Sequence, residues 1–310
     1  MQGFMPSLCS CPPCQNQQSM LSYPGGKNMK KIIKRSLIIT GIIFGVLILA
    51  FGGMSLKLKS EMSGFAPMET GKISLNKKDM IDIIDHIDII ETIENIYVVK
   101  DDFANLFIIS DNDQYIVIDC ATNPKIVAEQ LKKLEIDPEK VRAVFLTHTD
   151  GDHTGALNLF EKAALYMSKE EEQMINGKKA KFLWFKNSIP RKDYILLDDR
   201  QTVTIGNITI QGILVPGHTS GTMAYLVNDK YLFTGDILSL KDGKIGPIPA
   251  FFNMDTKQAI KSMEIIYQLS APEYIFTSHW GYTDNYNAAE YINTAHWDDI
   301  DDDNDQAAEE

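Results

Sequence analysis

Apolar positions between residues 81 and 297 fall into short β-branched and aromatic runs, interrupted by two helical stripes. Ile96–Val99, Leu106–Ser110 and Tyr115–Ile118 are such runs, and Asp111-Asn112-Asp113 splits the last two, so the pattern predicts hairpin-like strands. Ile126, Val127, Leu131 and Leu134 recur at helical spacing and predict a helix over Pro124–Leu134. Val141–Leu146 is apolar almost throughout and predicts a buried strand. A second set follows: strands at Tyr194–Leu197, Thr202–Ile205, Ile208–Val215, Met223–Val227 and Tyr231–Thr234, then a helix at Asp255–Leu269, then a strand at Tyr274–Thr277. Ala259, Ile260, Met263, Ile266 and Leu269 are in phase along that helix. Two similar sets of strands with interspersed helices predict an α/β (α+β) body of sheets covered by helices.

The rest of the chain follows other patterns. Residues 36–56 contain no charge over 21 positions, about the length that crosses the hydrocarbon core of a bilayer. Lys27, Lys30, Lys31, Lys34 and Arg35 precede this run, and only Lys57 and Lys59 lie between it and Glu61. The positive-inside bias therefore predicts a single-pass anchor in the cell membrane, with the N-terminus cytoplasmic and the body outside. Leu37–Phe51 also fits the apolar region of a cleaved signal, which would leave the body secreted, although no convincing small-x-small cleavage site follows it. Residues 1–28 read as a disordered or mis-called leader, since Met29-Lys30-Lys31 would make a natural start. Cys9, Cys11 and Cys14 lie there without a fourth zinc ligand nearby. Residues 57–80 are polar and Gly/Pro-punctuated, which suits a linker, and 298–310 hold eight acidic residues and no basic one, which suits a solvated tail.

Charge narrows the function. The chain of 310 residues has a formal net charge of −12, and all seven Lys/Arg of residues 1–60 stand without an Asp or Glu, leaving 23 basic against 42 acidic residues in the remainder. A body that acidic repels phosphate backbones, so nucleic acid is not an expected partner. Four cysteines in the whole chain exclude a disulfide scaffold.

The candidate chemistry lies just past strand ends. Thr147-His148-Thr149-Asp150-Gly151-Asp152-His153 follows the strand Val141–Leu146 and places four possible metal ligands within six residues. His148 and Asp150 are two apart, so a chain still extended would point both to one side. Gly151 would then allow a sharp turn, bringing Asp152 and His153 to the same place. An acidic turn capping a helix through Asp152 or Thr154 would explain this segment alone. Three later strand ends repeat the theme, with Gly217-His218, Gly235-Asp236 and Ser278-His279-Trp280-Gly281. Imidazole together with carboxylate suits zinc, iron or manganese rather than a soft thiolate site. His86 and His296 have no such context, and Cys120 reads as a small buried residue.

The ordered set HxxxDH, then GH, then GD, then a final SH, over about Ile93 to Tyr291, resembles the metallo-β-lactamase-fold hydrolase superfamily. The resemblance implies a four-layer αββα sandwich with a dinuclear metal site at one edge of its sheets. By position it implies that His148, Asp150 and His218 hold one divalent ion, that Asp152, His153 and His279 hold a second, and that Asp236 bridges them. It further implies zinc as the metal and a role for Asp119 in orienting the ligand loop. The implied reaction is hydrolysis of an ester, thioester, lactone or amide of a small molecule by metal-activated water, with Asp152 relaying the proton and no Ser or Cys nucleophile.

One position departs from the family, whose usual HxHxDH has His where this chain has Asp150. The added negative charge makes iron or manganese more competitive and leaves a single-metal or inactive site open. Flavodiiron oxygen reductases, which are di-iron redox proteins, share an acid there, but the 31 residues after His279 are too few for their fused domain. A β-lactam-hydrolysing enzyme and a non-catalytic metal-binding module also fit the motif set. Asp236 stands where one β-lactamase subclass has Cys, and the 43-residue interval from Asp236 to His279 is too short for the insertion of nucleic-acid-cleaving relatives. Trp184, Phe185, Phe251, Phe252, Trp280 and Tyr282 are candidate walls of a substrate pocket.

Overall fold

The computed structural model describes residues 71–75, 91–101, 104–181, 186–241, 244–270 and 272–284. Seven strands form the first sheet in sequence order: β1 (Gly71–Leu75), β2 (Glu91–Lys100), β3 (Asn105–Asp111), β4 (Gln114–Ile118), β5 (Val141–Phe145), β6 (Ala164–Ser168) and β7 (Tyr194–Leu197). The β1 to β4 half is antiparallel, and Asp111 pairs with Gln114 across a two-residue turn whose first residue, Asn112, has φ 56°. From β4 onward the pairing is parallel, and the helix α1 (Pro124–Lys133) connects β4 to β5. Asn123 caps α1 by accepting from the Lys125 amide, and Pro124 at its start needs no donor. Two one-turn helices also interrupt this half, α2 (Gly151–Thr154) and α3 (Glu172–Ile175).

The second sheet has the order β15-β14-β11-β10-β9-β8, built from β8 (Thr202–Ile205), β9 (Ile208–Leu214), β10 (Met223–Val227), β11 (Tyr231–Phe233), β14 (Tyr274–Thr277) and β15 (Gly281–Thr283). A separate two-stranded ribbon, β12 (Ser239–Lys241) with β13 (Lys244–Gly246), precedes the helix α4 (Thr256–Tyr267).

Alternation along the strands sorts the core into three apolar clusters. Leu106, Ile108 and Val117 pack against Val127 and Leu131 of α1. Their sequence neighbours Phe107, Ile109, Ile116 and Ile118 face the other way, against Ile208, Ile210, Met223, Tyr225, Phe233 and Phe276 of the second sheet. On that sheet's far side, Ile213, Ala224, Leu226 and Leu232 pack against Ala259, Met263 and Ile266 of α4. The layers thus run helix, sheet, sheet, helix. Each large side chain buried in this way contributes about 1.5–3 kcal/mol. Both faces of the central strands are covered, which is why Met223–Val227, and Val141–Phe145 apart from the exposed Arg142, read as apolar runs rather than alternating ones.

The same pairing places the chemistry. Parallel β4/β5 and parallel β11/β14 end on one side, and β9 reaches that side because it is antiparallel to β10, which is antiparallel to β11. Hydrogen bonds tie the two sheets together at this edge: Met223 N to Thr147 O (2.9 Å), Asn105 N to Ser278 O (2.9 Å) and Tyr225 Oη to Leu146 O (2.8 Å).

The structure differs from expectation in two respects. Gly71–Leu75, inside the stretch expected as a linker, is paired to β2, so the sheet begins before residue 81. Ala164–Ser168 and the β12/β13 ribbon had no distinct sequence pattern; parallel neighbours on both sides define β6. The apolar run 36–56, His86, His296 and the three clustered cysteines lie outside the described residues, among which no helix is long and apolar enough to cross a membrane.

Candidate metal centre

Five strand ends deliver the polar residues. Asp119 follows β4, Thr147 to His153 follow β5, His218 follows β9, Asp236 follows β11 and His279 follows β14. Gly235 lets Asp236 come close: its φ is 57°, and a Cβ there would sit 2.6 Å from Thr147 Oγ1. Gly151 does not play the part expected of it. It opens α2 with Asp150 as N-cap, its φ is not positive, and a Cβ would meet nothing within 4 Å. The helical turn itself, not a glycine bend, carries Asp152 and His153 toward the cluster. Neither Asp152 nor Thr154 is the cap.

All seven sequence-derived residues converge. His148, Asp150 and His218 form one group, and Asp152, His153 and His279 another, with the ligand atoms within each group no more than 4.8 Å apart. In the first group, His218 Nε2 is 3.3 Å from Asp150 Oδ2 and 3.1 Å from His148 Nε2. In the second, His279 Nε2 is 3.5 Å and His153 Nε2 3.7 Å from Asp152 Oδ2. Asp236 lies between the groups, with Oδ2 3.5 Å from His218 Nε2 and Oδ1 3.4 and 3.2 Å from Nε2 of His153 and His279. His148, His153, His218 and His279 are all buried, whereas the Asp152 side chain keeps 24% of its exposure.

Asp119 fixes how the imidazoles point. Its φ is 59°, and its carboxylate accepts from Thr147 N (2.8 Å) and Thr147 Oγ1 (2.8 Å) and contacts His153 Nδ1 at 2.9 Å. Because the Thr147 hydroxyl spends its one proton on Asp119, its oxygen accepts at the 3.0 Å contact from His148 Nδ1. Both rings are thereby turned with Nε2 toward the cluster.

The electrostatics of the two groups differ. In the second, burial alone would lower His153, but Asp236, Asp119 and Asp152 hold it well above the usual imidazole range. His279 is raised by Asp236 in the same way, against its own burial. Asp236 is held well below the usual carboxylate range by His279 and His153, although burial opposes this. The second group therefore favours positive charge. In the first, burial, with help from His153, pushes His148 down to about 3 and keeps it neutral.

Three residues of the site carried no sequence signal. Lys181 Nζ bonds Asp150 Oδ2 and lies 2.8 Å from His218 Nε2, and Asn187 Nδ2 donates to Asp150 Oδ1 at 2.8 Å. Glu171 sits within an acidic run beside Glu170 and Glu172, yet it is buried and accepts from Thr149 N (2.8 Å), Thr149 Oγ1 (2.7 Å) and Thr219 Oγ1 (2.6 Å). It ties the loop bearing His148 and Asp150 to the loop bearing His218. Of the expected pocket walls, Phe252, Trp280 and Tyr282 pack onto apolar clusters, Phe251 is 40% exposed, and Trp184 and Phe185 lie outside the described residues.

The sequence model of the metallo-beta-lactamase superfamily matches residues 99–279, more than half of the chain. The chain belongs to that superfamily. Within it, a probable polyketide biosynthesis zinc-dependent hydrolase of Bacillus subtilis (strain 168) is 35% identical over 135 residues, covering 42% of this chain and 53% of the relative. A hydroxyacylglutathione hydrolase of Dictyostelium discoideum is 30% identical over 150 residues, covering 46% and 50%. The chain spans about half the length of these curated relatives. A metallo-beta-lactamase family protein of Thermus thermophilus superposes with a TM-score of 0.52 at 17% identity, over 64% of this chain and 77% of that one, which shows the shared fold.

Burial, opposed by the Thr219 and Thr149 hydrogen bonds, pushes the Glu171 carboxyl up from 4.5 to about 7. Between those values the folded protein binds more protons at Glu171 than the unfolded chain does. The associated stability is therefore fully present below about 4.5 and is lost as pH rises through about 7. Metal-free wild type should lose up to about 3 kcal/mol of stability relative to Glu171→Gln between about pH 5 and pH 8. Chemical denaturation of both proteins at the two pH values checks this, and parallel pH profiles would contradict it.

Proposed function

We propose that this protein is a metal-dependent hydrolase that cleaves an ester, thioester, lactone or amide bond of a small molecule. The observation that carries the reading is the second group together with Asp236. His153 Nε2 and Asp236 Oδ1 are buried without a hydrogen bond, they face each other at 3.4 Å, and His279 and Asp152 complete a set of imidazole and carboxylate donors around them. Buried polar atoms without partners are costly, and this donor set fits a divalent ion such as zinc. The names of the two curated relatives, a zinc-dependent hydrolase and a hydroxyacylglutathione hydrolase, support zinc and favour a thioester among the candidate bonds. Iron and manganese suit the same donors.

A cation held by Asp152, His153, Asp236 and His279 would supply Lewis acidity and lower the pKa of water to about 7. The residues supply the rest. Asp119 holds His153 in place through Nδ1, Asp236 joins the two groups, and Asp152 is the carboxylate open enough to meet solvent and accept a proton. Among the described residues no cysteine offers itself as a nucleophile. Cys120 is fully buried, and burial pushes its thiol well above the ordinary value. The first group presents the same donor types for a second ion, but two of its atoms are already bonded to Lys181.

The proposal includes the location. The charge-free run 36–56 behind a basic flank supports a membrane anchor with the catalytic body outside the cell. Fractionation followed by protease treatment of intact cells should find the body in the membrane fraction and cleave it from outside; recovery of the full chain in the cytosolic fraction would contradict this.

Activity is tested with a panel of thioesters, esters and lactones. Hydrolysis should disappear with a chelator and return with zinc. Asp152→Asn should lower kcat by about 10²–10⁴-fold, the usual contribution of a positioned proton acceptor. Turnover that a chelator leaves intact, or no turnover by a zinc-loaded protein across the panel, would sink the reading.

A further inference from the structure

Asp150 is where this chain departs from its family's usual histidine, and the structure shows what accompanies the change. Lys181 reaches into the first group with its side chain only 11% exposed, its Nζ bonded to Asp150 Oδ2 and 2.8 Å from His218 Nε2. Asn187 occupies the other oxygen of the same carboxylate, Asp150 Oδ1, at 2.8 Å, and also donates to Thr149 Oγ1 at 3.1 Å. Both oxygens of Asp150 are thus engaged by donors from the segment that follows α3. His148 Nε2 and His218 Nε2 approach to 3.1 Å, and with His148 protonated on Nδ1 and the Lys181 ammonium donating to His218 Nε2, two ring nitrogens without protons face each other beside one cation. The Lys181 ammonium faces His218 and neutralises the charge that Asp150 added.

We infer that Lys181 is a built-in cation of the first group, so that the protein holds one metal ion, at Asp152, His153, Asp236 and His279, in place of a pair. A zinc ion would bind His N and Asp O at about 2.0–2.2 Å, through the same Asp150 Oδ2 and His218 Nε2 atoms that Lys181 already engages. Two cations so close repel strongly where little water screens them. The ammonium is tethered and held by Asp150, and His218 Nε2, 2.8 Å from its Nζ, is 3.5 Å from Asp236 Oδ2, so it stands beside the metal-holding group, where it can meet the oxygen of a bound carbonyl or carboxylate substrate without needing a second ion.

This inference rests on the second group being a metal site, so the test must separate the two claims. The full chain is exposed to excess zinc, desalted, and assayed for zinc per chain by elemental analysis. Lys181→Met and Lys181→Gln are treated alongside, with cooperative unfolding checked by circular dichroism. One zinc in wild type and two in the folded variants is the expected result. Two in wild type overturns the inference, as does a single zinc in variants that unfold cooperatively. No zinc in wild type overturns the metal reading beneath it. Should neither variant fold, the wild-type count decides alone: one supports the inference and two overturns it.

Discussion

Negative charge gathered at a closed sheet edge is the constraint on which the rest of this structure depends. Asp119, Asp150, Asp152, Asp236 and Glu171 lie within a few bonds of one another through shared histidine and threonine partners. Asp119 and Glu171 are fully buried. Carboxylates without water need either protons or cations. Each one here is answered differently: Asp119 by Thr147 and His153, Asp150 by Lys181 and Asn187, Glu171 by threonine hydroxyls and by a raised affinity for its own proton. Asp236 and Asp152 face histidines whose affinity for a proton their field raises. A divalent ion bound there would displace those protons and satisfy the same field, turning a charge cluster into a catalytic one.

The fold supports this cluster by joining two sheets at one edge. Had the two sheets been linked only by apolar contact, the five strand ends would be free to drift. Backbone bonds from Met223 to Thr147 and from Asn105 to Ser278, with the Tyr225 hydroxyl on Leu146, lock the ligand loops of one sheet to the strands of the other. The buried aromatic set Phe107, Phe233 and Phe276 fills the space directly behind them, with Phe233 and Phe276 stacked at 4.8 Å.

Strands such as Met223–Val227 and Tyr274–Thr277 were legible residue for residue, because their apolar runs are largely buried and bounded by turn residues. The more exposed Thr202–Ile205 was legible through its β-branched alternation. The seven converging histidines and aspartates were legible because each follows a strand, where only a turn separates the core from the edge. Lys181 and Glu171 were not. Lys181 follows Lys178 and Lys179, and Glu171 lies in the run Glu170-Glu171-Glu172; in both cases tertiary contact alone picks one residue out of several like it. β1 was missed because it is short: Ile73 and Leu75 are the whole of its apolar alternation, too little to stand out from a polar stretch. Gly151 was overread: glycine beside ligands suggested a bend, while the backbone there is an ordinary helical turn that any small residue would fit.

The central claim is that this edge binds a divalent ion tightly enough to belong to the folded protein. Its most direct test is thermal unfolding of metal-stripped protein with and without added zinc. A ligand that binds only the folded state at a hundred times its dissociation constant adds about 2.7 kcal/mol. The account predicts that the unfolding midpoint rises with zinc and climbs further as the zinc concentration increases. A midpoint unmoved by zinc, iron or manganese would contradict it.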